Sequence, residues 1–144
     1  MSVIYRFRTL EDAHYFVNQV HGLPDVPNAA RMRERFIRAG IILSWAALEE
    51  ARTYFVESGK LSARPNFPKN GKPLEVIRYV AEANGKAVRM ADLERARALR
   101  NDATHFRPDS TYVVTITEQN CKFVFDTCLA AICAMSRHRV ECSG

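Results

Sequence analysis

One short stretch of this chain, Arg100-Asn101-Asp102-Ala103-Thr104-His105, gathers a guanidinium, an amide, a carboxylate, a hydroxyl and an imidazole. Histidine has an unperturbed pKa of about 6.5 and exchanges protons near neutral pH. Arginine stays charged and holds phosphate bidentately as negative charge builds on it. Together Arg100 and His105 suit phosphodiester chemistry: the imidazole activates an RNA 2′-OH, the guanidinium stabilises the pentacovalent phosphorane, and no metal is needed. The same residue types also suit a helix C-terminus, where cations oppose the macrodipole. A capping role therefore stands beside the catalytic one.

Other residues extend either reading. Glu49 and Glu50 follow the apolar run Trp45-Ala46-Ala47-Leu48, and a carboxylate there needs a partner if buried. One of them is expected to order the motif arginine, or else to face solvent. Arg95, Arg97 and Arg107 surround the motif and would widen a phosphate-binding cleft. Lys60, Arg64, Lys69 and Lys72 fall in a stretch without acidic residues and suit backbone contacts that carry no sequence information. Phe67 and Tyr112 suit base stacking or simple anchoring. His14, His21 and His138 have no nearby partners in sequence. Asp102 is expected to pair with a basic neighbour.

The elements that would position these groups read as helices between Gly/Pro punctuation. Thr9, with Asp12 three residues on, resembles a capping box ahead of Leu10, Ala13, Phe16, Val17 and Val20. Asn28 is an N-cap candidate for a long helix from Ala29 to Ser58. Its stripe would hold Met32, Phe36, Ala39, Ile42 or Leu43, Ala46, Glu50 and Tyr54, and Gly59 closes it. Apolar density from Ile41 to Leu48 makes that helix central. Lys60 to Lys72 reads as an exposed basic loop. Pro73 opens a third helix that Asn84-Gly85 ends. A fourth spans Met90 to Thr104, with Leu93, Ala96, Leu99 and Ala103 inward. Tyr112 to Ile116 is β-branched and reads as extended. Thr117 caps a last helix, Glu118 to His138, whose seam holds Cys121, Val124, Phe125, Cys128, Leu129, Ile132 and Met135. Nothing alternates β with α, so the expected fold is a single all-α domain over 1–144. Its form would be an antiparallel bundle of four to five helices.

An arginine, a polar residue, and a histidine within four to six positions, at the end of a late helix in a small helical bundle, resembles the HEPN ribonuclease family. Arg100-Asn101 and His105 carry the resemblance; the architecture extends it over most of the chain. Arg8 and His14 match the bare spacing but straddle a helix start, with Thr9 after the arginine. The resemblance implies a HEPN-like fold and a homodimer whose two motifs face each other across a basic cleft. It implies a metal-independent endoribonuclease, a toxin or defence effector by role, with RNA cut by 2′-OH attack. Carried over, Arg100 binds the scissile phosphate, His105 is general base or acid, and Asn101 orients the phosphate or the arginine; Asp102 matches no fixed family role. No cofactor is implied. Many toxins of the family that pair with a nucleotidyltransferase antitoxin carry Tyr two residues after the histidine. Here Arg107 stands there, which puts that pairing and adenylation at the site in doubt, and leaves an antitoxin partner open. The alternative to an enzyme is a HEPN-like adaptor that binds a nucleotide or protein through the same cleft.

Length and composition fit this reading. The 144 residues are 47% hydrophobic and 26% charged, ordinary for one soluble domain, which excludes fibrous and wholly disordered classes. The net charge is +5, from 21 Lys and Arg against 16 Asp and Glu; this permits nucleic acid without demanding it. No apolar run approaches the roughly 20 residues of a membrane span. Met1–Leu10 lacks the apolar core of a signal peptide, so a cytoplasmic location is expected. Cys121, Cys128, Cys133 and Cys142 form no CxxC pair and lack zinc-ligand spacing. All four are expected as free thiols, with Cys121 and Cys128 on the inner face of the last helix.

Overall fold

The computed structural model of the chain describes residues 7–24, 26–105 and 115–136. Over these the protein is all-helical, without strands. The helices are α1 (Arg8–Gly22), α2 (Ala30–Ser58), α3 (Pro73–Ala83), α4 (Met90–Thr104) and α5 (Glu118–Met135). Single 3-10 turns, Pro27–Ala29 and Leu61–Ala63, precede and follow α2. The expected all-α bundle of up to five helices is present. Tyr112 to Val114, Arg107, His138 and Cys142 lie outside the described residues.

The helix ends show what local chemistry controls. Thr117 caps α5 as expected, its Oγ1 accepting from the Asn120 N–H at 3.1 Å. Pro73 occupies the first turn of α3, and Gly85 takes a left-handed φ of 71° just past its end. Thr9 does not cap α1. That helix begins at Arg8, because Phe7 is anchored edge-on against Tyr54 and Phe55, and the Thr9 hydroxyl donates instead to Glu50 at 3.0 Å. Asn28 does not cap α2 either; it sits inside the 3-10 turn, and no described side chain caps the helix. The last helix stops at Met135 rather than His138. There Asn84 donates to the Met135 carbonyl at 2.8 Å, and Lys86 Nζ to those of Cys133 and Ser136 at 3.1 and 2.9 Å. Three carbonyls at this end are thus satisfied from outside the helix.

Cross-helix bonds fix the directions. Thr9 meets Glu50 and Arg33 meets the Val20 carbonyl, so α1 is antiparallel to α2. Arg38 meets the Ala103 carbonyl and Arg100 meets Trp45, so α4 is also antiparallel to α2. Arg33 meets Glu118 and Gly40 faces Cys121, so α5 runs parallel to α2, a departure from a uniformly antiparallel bundle. Helices α1 and α4 pack on the α2–α5 pair from opposite sides. The approach of α2 to α5 requires Gly40, since a Cβ there would lie 2.7 Å from Cys121 Sγ. Helix α2 is central, as its apolar density implies.

Its buried face is not the expected stripe. Ile37, Ile41, Ser44, Trp45, Leu48, Ala51 and Phe55 face the core, and full burial of a side chain such as Ile41 or Leu48 contributes about 2 kcal/mol. Met32 and Tyr54 are 53% and 50% exposed, and Ile42 36%. Two apolar stripes run along α2, and periodicity alone cannot tell which one meets the bundle.

The cysteine expectation is half met. Cys121 and Cys128 are buried free thiols on the inner face of α5. Burial, with Glu118 adding to it, pushes the Cys121 thiol up to about 12, and burial alone pushes Cys128 up. Cys133 is not free: it is disulfide-bonded. The expectation of four free thiols rested on an assumed reducing compartment. The cysteines therefore no longer argue for a reducing compartment.

Candidate functional site

The motif closes α4 as expected. Leu99 and Ala103 are buried, which turns Arg100 toward α2. Its guanidinium carbon lies 5.8 Å from the centre of the Trp45 ring, within reach of a cation–π attraction. Arg100 Nε is buried without a hydrogen-bond partner among the described residues. The expectation that Glu49 or Glu50 would hold this arginine is corrected. Glu49 Oε1 accepts the Trp45 indole N–H at 2.7 Å, and Glu50 accepts from Thr9. Glu49 acts one step removed, fixing the ring under the guanidinium rather than bonding it. Arg100 is thus a half-buried cation with no carboxylate partner among the described residues.

His105 is the first residue beyond the helix, exposed and extended (φ −77°, ψ 123°). Its N–H donates to the Asn101 carbonyl at 3.0 Å, and the Thr104 hydroxyl donates to the same oxygen at 3.0 Å. The helix end is pinned on two sides. Arg38 of α2 donates to the Ala103 carbonyl at 2.7 Å, with its Nε and Nη2 held on Glu34 Oε1 at 3.1 and 3.0 Å. Asp102 Oδ2 accepts the Thr115 hydroxyl at 2.9 Å, a hydroxyl partner where a basic one was expected. Asn101, next to the arginine in the chain, is half-buried.

These bonds bear on the capping alternative. A cation does satisfy a terminal carbonyl of α4, but that cation is Arg38, reaching across from another helix. Among the described residues, the side chains of Arg100 and His105 hydrogen-bond none of the last carbonyls. Arg38, Glu34 and Trp45 are neighbours of the motif that sequence reading missed. All three belong to i,i+4 pairs, Glu34–Arg38 and Trp45–Glu49, a local signal, but the contacts of Arg38 and Trp45 across the bundle carry none.

The remaining cations divide by place. Arg97 precedes Arg100 by three residues and shares its side of the helix. Arg95 is on the other side, over the Phe123 ring at 4.3 Å and donating to Asn120 Oδ1 at 3.4 Å. Lys60, Arg64, Lys69 and Lys72 are exposed, in a segment that starts where α2 ends. Trp45 and Gly59 are about 20 Å apart along the helix axis, so within one chain this basic segment is not gathered with the motif. Arg64 instead borders a cavity of about 180 Å³ with Phe55, Leu61, Val80 and Met135. Phe67 packs edge-on against Tyr79 at 5.4 Å, the anchoring alternative to base stacking.

A second polar cluster was not anticipated. Glu118 accepts from Arg33 Nη2 at 2.6 Å and faces His21 Nδ1 at 3.1 Å, at the edge of a groove of about 870 Å³ between α1 and α5. Arg33 and then His21 hold its carboxyl below the usual range. Among the described residues no group of three or more His, Cys, Asp or Glu is placed to hold a metal ion. No described helix is long and apolar enough to cross a membrane.

Comparison with known proteins adds no relative: no family model matches the chain, and no curated protein or solved structure matches it.

Proposed function

We propose that this protein is a metal-independent endoribonuclease of the HEPN type, acting as a homodimer on RNA. The observation that carries the reading is the placement of Arg100 and His105 at one helix end. Arg100 is a cation left without a carboxylate among the described residues, over an aromatic ring, and His105 is open to solvent just beyond a pinned last turn. An unneutralised guanidinium is ready for phosphate, and an exposed imidazole is free to exchange protons.

In the proposed reaction His105 accepts the proton of an RNA 2′-OH. The 2′ oxygen attacks the adjacent phosphorus while Arg100 stabilises the charge on the non-bridging oxygens. The P–O5′ bond breaks, and the 5′ oxygen leaves with a proton. The products are a 2′,3′-cyclic phosphate and a 5′-hydroxyl; DNA, lacking the 2′-OH, is not cut. Arg97 widens the phosphate surface, and Trp45, fixed by Glu49, supports the arginine. A role as a toxin or defence effector follows if the RNA is essential to the host. Expression should then arrest growth, and His105→Ala should relieve the arrest. Growth arrest that persists in His105→Ala would count against the reading.

A further inference from the structure

Helix α2 carries a second apolar seam that the bundle covers only in part, with Phe36 and Leu43 packed against the core. Met32, Phe36, Ala39, Leu43 and Ala46 recur at alternating four- and three-residue spacing, the pattern that pairs helices. Yet Met32 and Ile42 are exposed, and Phe36, Ala39, Leu43 and Ala46 are only half-buried. Helix α5 packs on one side of α2, with α1 and α4 flanking. Helix α1 borders this face, through Phe16 on Phe36 and Thr9 on Glu50, and leaves Met32 and Ile42 exposed with Ala39 and Ala46 half-exposed between them.

The charges beside the seam are arranged by sign along the helix. Arg31 and Arg35 lie in its first half, Glu49, Glu50 and Glu57 in its second, and all five are exposed. Arg35 and Glu49 stand seven residues on either side of Ile42, and Ala39 and Ala46 lie symmetrically about Ile42–Leu43. A second α2 laid antiparallel about a two-fold axis there puts Arg35 against Glu49 and Glu50 of the other copy. It also sets Ala39 against Ala46, where small side chains allow close approach. A parallel pairing would oppose like charges instead. From this self-complementarity we infer that the outer face of α2 is the homodimer interface, with two copies antiparallel about Ile42 and Arg35 paired to the partner helix's acidic residues. An isologous two-fold contact of this kind is closed and self-limiting. The inference takes up the homodimer of the proposed function and assigns its surface, but it does not depend on the cleavage chemistry.

Charge reversal tests it, read by sedimentation equilibrium across the micromolar range with helical content followed by circular dichroism. The wild type should be a dimer. Arg35→Glu alone, and Glu49→Arg with Glu50→Arg, should each weaken it about tenfold or more, since every reversed pair occurs twice across the two-fold. All three changes in one chain should restore it, with the charges exchanged. Ala39→Arg, a half-exposed position, should give a folded monomer. A monomeric wild type, a dimer indifferent to all these variants, or a triple variant no tighter than its parents would overturn the interface. Cleavage assayed on the wild type and on Arg35→Glu, which leave the Glu49–Trp45 bond in place, separates the two claims. Cleavage with an indifferent dimer sinks only the interface, whereas a dimer that follows the charges without cleavage sinks only the catalytic reading.

Discussion

Arg38 holds the carbonyl of Ala103 at 2.7 Å, and so a residue of the central helix fixes the turn from which His105 emerges. A guanidinium reaching a terminal carbonyl combines a charge-assisted bond with relief of the C-terminal dipole. Glu34 keeps that guanidinium in place from one turn earlier on the same helix.

Replacing Arg38 by Gln should therefore loosen the end of α4 with only modest loss of global stability. A bond to a charged group is worth about 1.5–3 kcal/mol, and partial exposure of Arg38 puts the expectation at the low end. Hydrogen exchange should show faster exchange of the His105 amide, with the α2 core amides unchanged. RNA cleavage should fall in kcat more than in KM, because His105, the proposed general base, is displaced while the proposed phosphate contact of Arg100 remains. Unchanged exchange at His105 would separate Arg38 from the site.

The cysteines should divide in labelling. Cys121 and Cys128 are buried with thiols held up in pKa, so neither should react with a thiol reagent in the native protein. Both should react after denaturation without reductant, and Cys133 only once reductant is added. Peptide mapping reads all three. Native labelling of Cys128, or labelling of Cys133 before reduction, would contradict the structure.

Glu118 sets a pH dependence. Arg33, then His21, lowers its carboxyl pKa in the folded state. A depressed folded-state value adds stability that is present above the unfolded value of about 4.3. It is lost as pH falls through the lower folded value. Glu118→Gln should flatten that acid limb of the stability curve, by a small amount because the side chain is 38% exposed and solvent screens the pair. Equal acid limbs in the two proteins would remove the pair from the account.

Much of the architecture was legible. Pro73, Asn84-Gly85 and Thr117 mark real helix ends because each acts through its own backbone or its near neighbours; Gly59 also marks one, although the left-handed residue there is Lys60. Thr9 misled because its hydroxyl found Glu50, far along the chain, and the aromatic anchor of Phe7 moved the helix start. The choice between two apolar stripes on α2 was not legible at all. Both have helical period, and only the positions of α1, α4 and α5 decide which is inside. At the site, the placement of Arg100 and His105 on one helix end followed from local pattern. The Arg38 clamp and the Trp45 platform did not, since each joins residues more than fifty positions apart. The disulfide at Cys133 escaped because the free-thiol expectation rested on an assumed reducing compartment, not on any contact of that side chain.

Incubation with RNA in excess EDTA tests the central claim most directly, comparing wild type, Arg100→Ala and His105→Ala by rate and by the chemistry of the new ends. Wild type should cleave RNA and leave 2′,3′-cyclic phosphate, with DNA intact. Each variant should lose about 10²–10⁴-fold in rate, while helical content stays, because both side chains stand at a helix end where loss costs about 1–2 kcal/mol at most. Absent wild-type cleavage, a strict need for Mg²⁺, or an undiminished rate in His105→Ala would contradict the account.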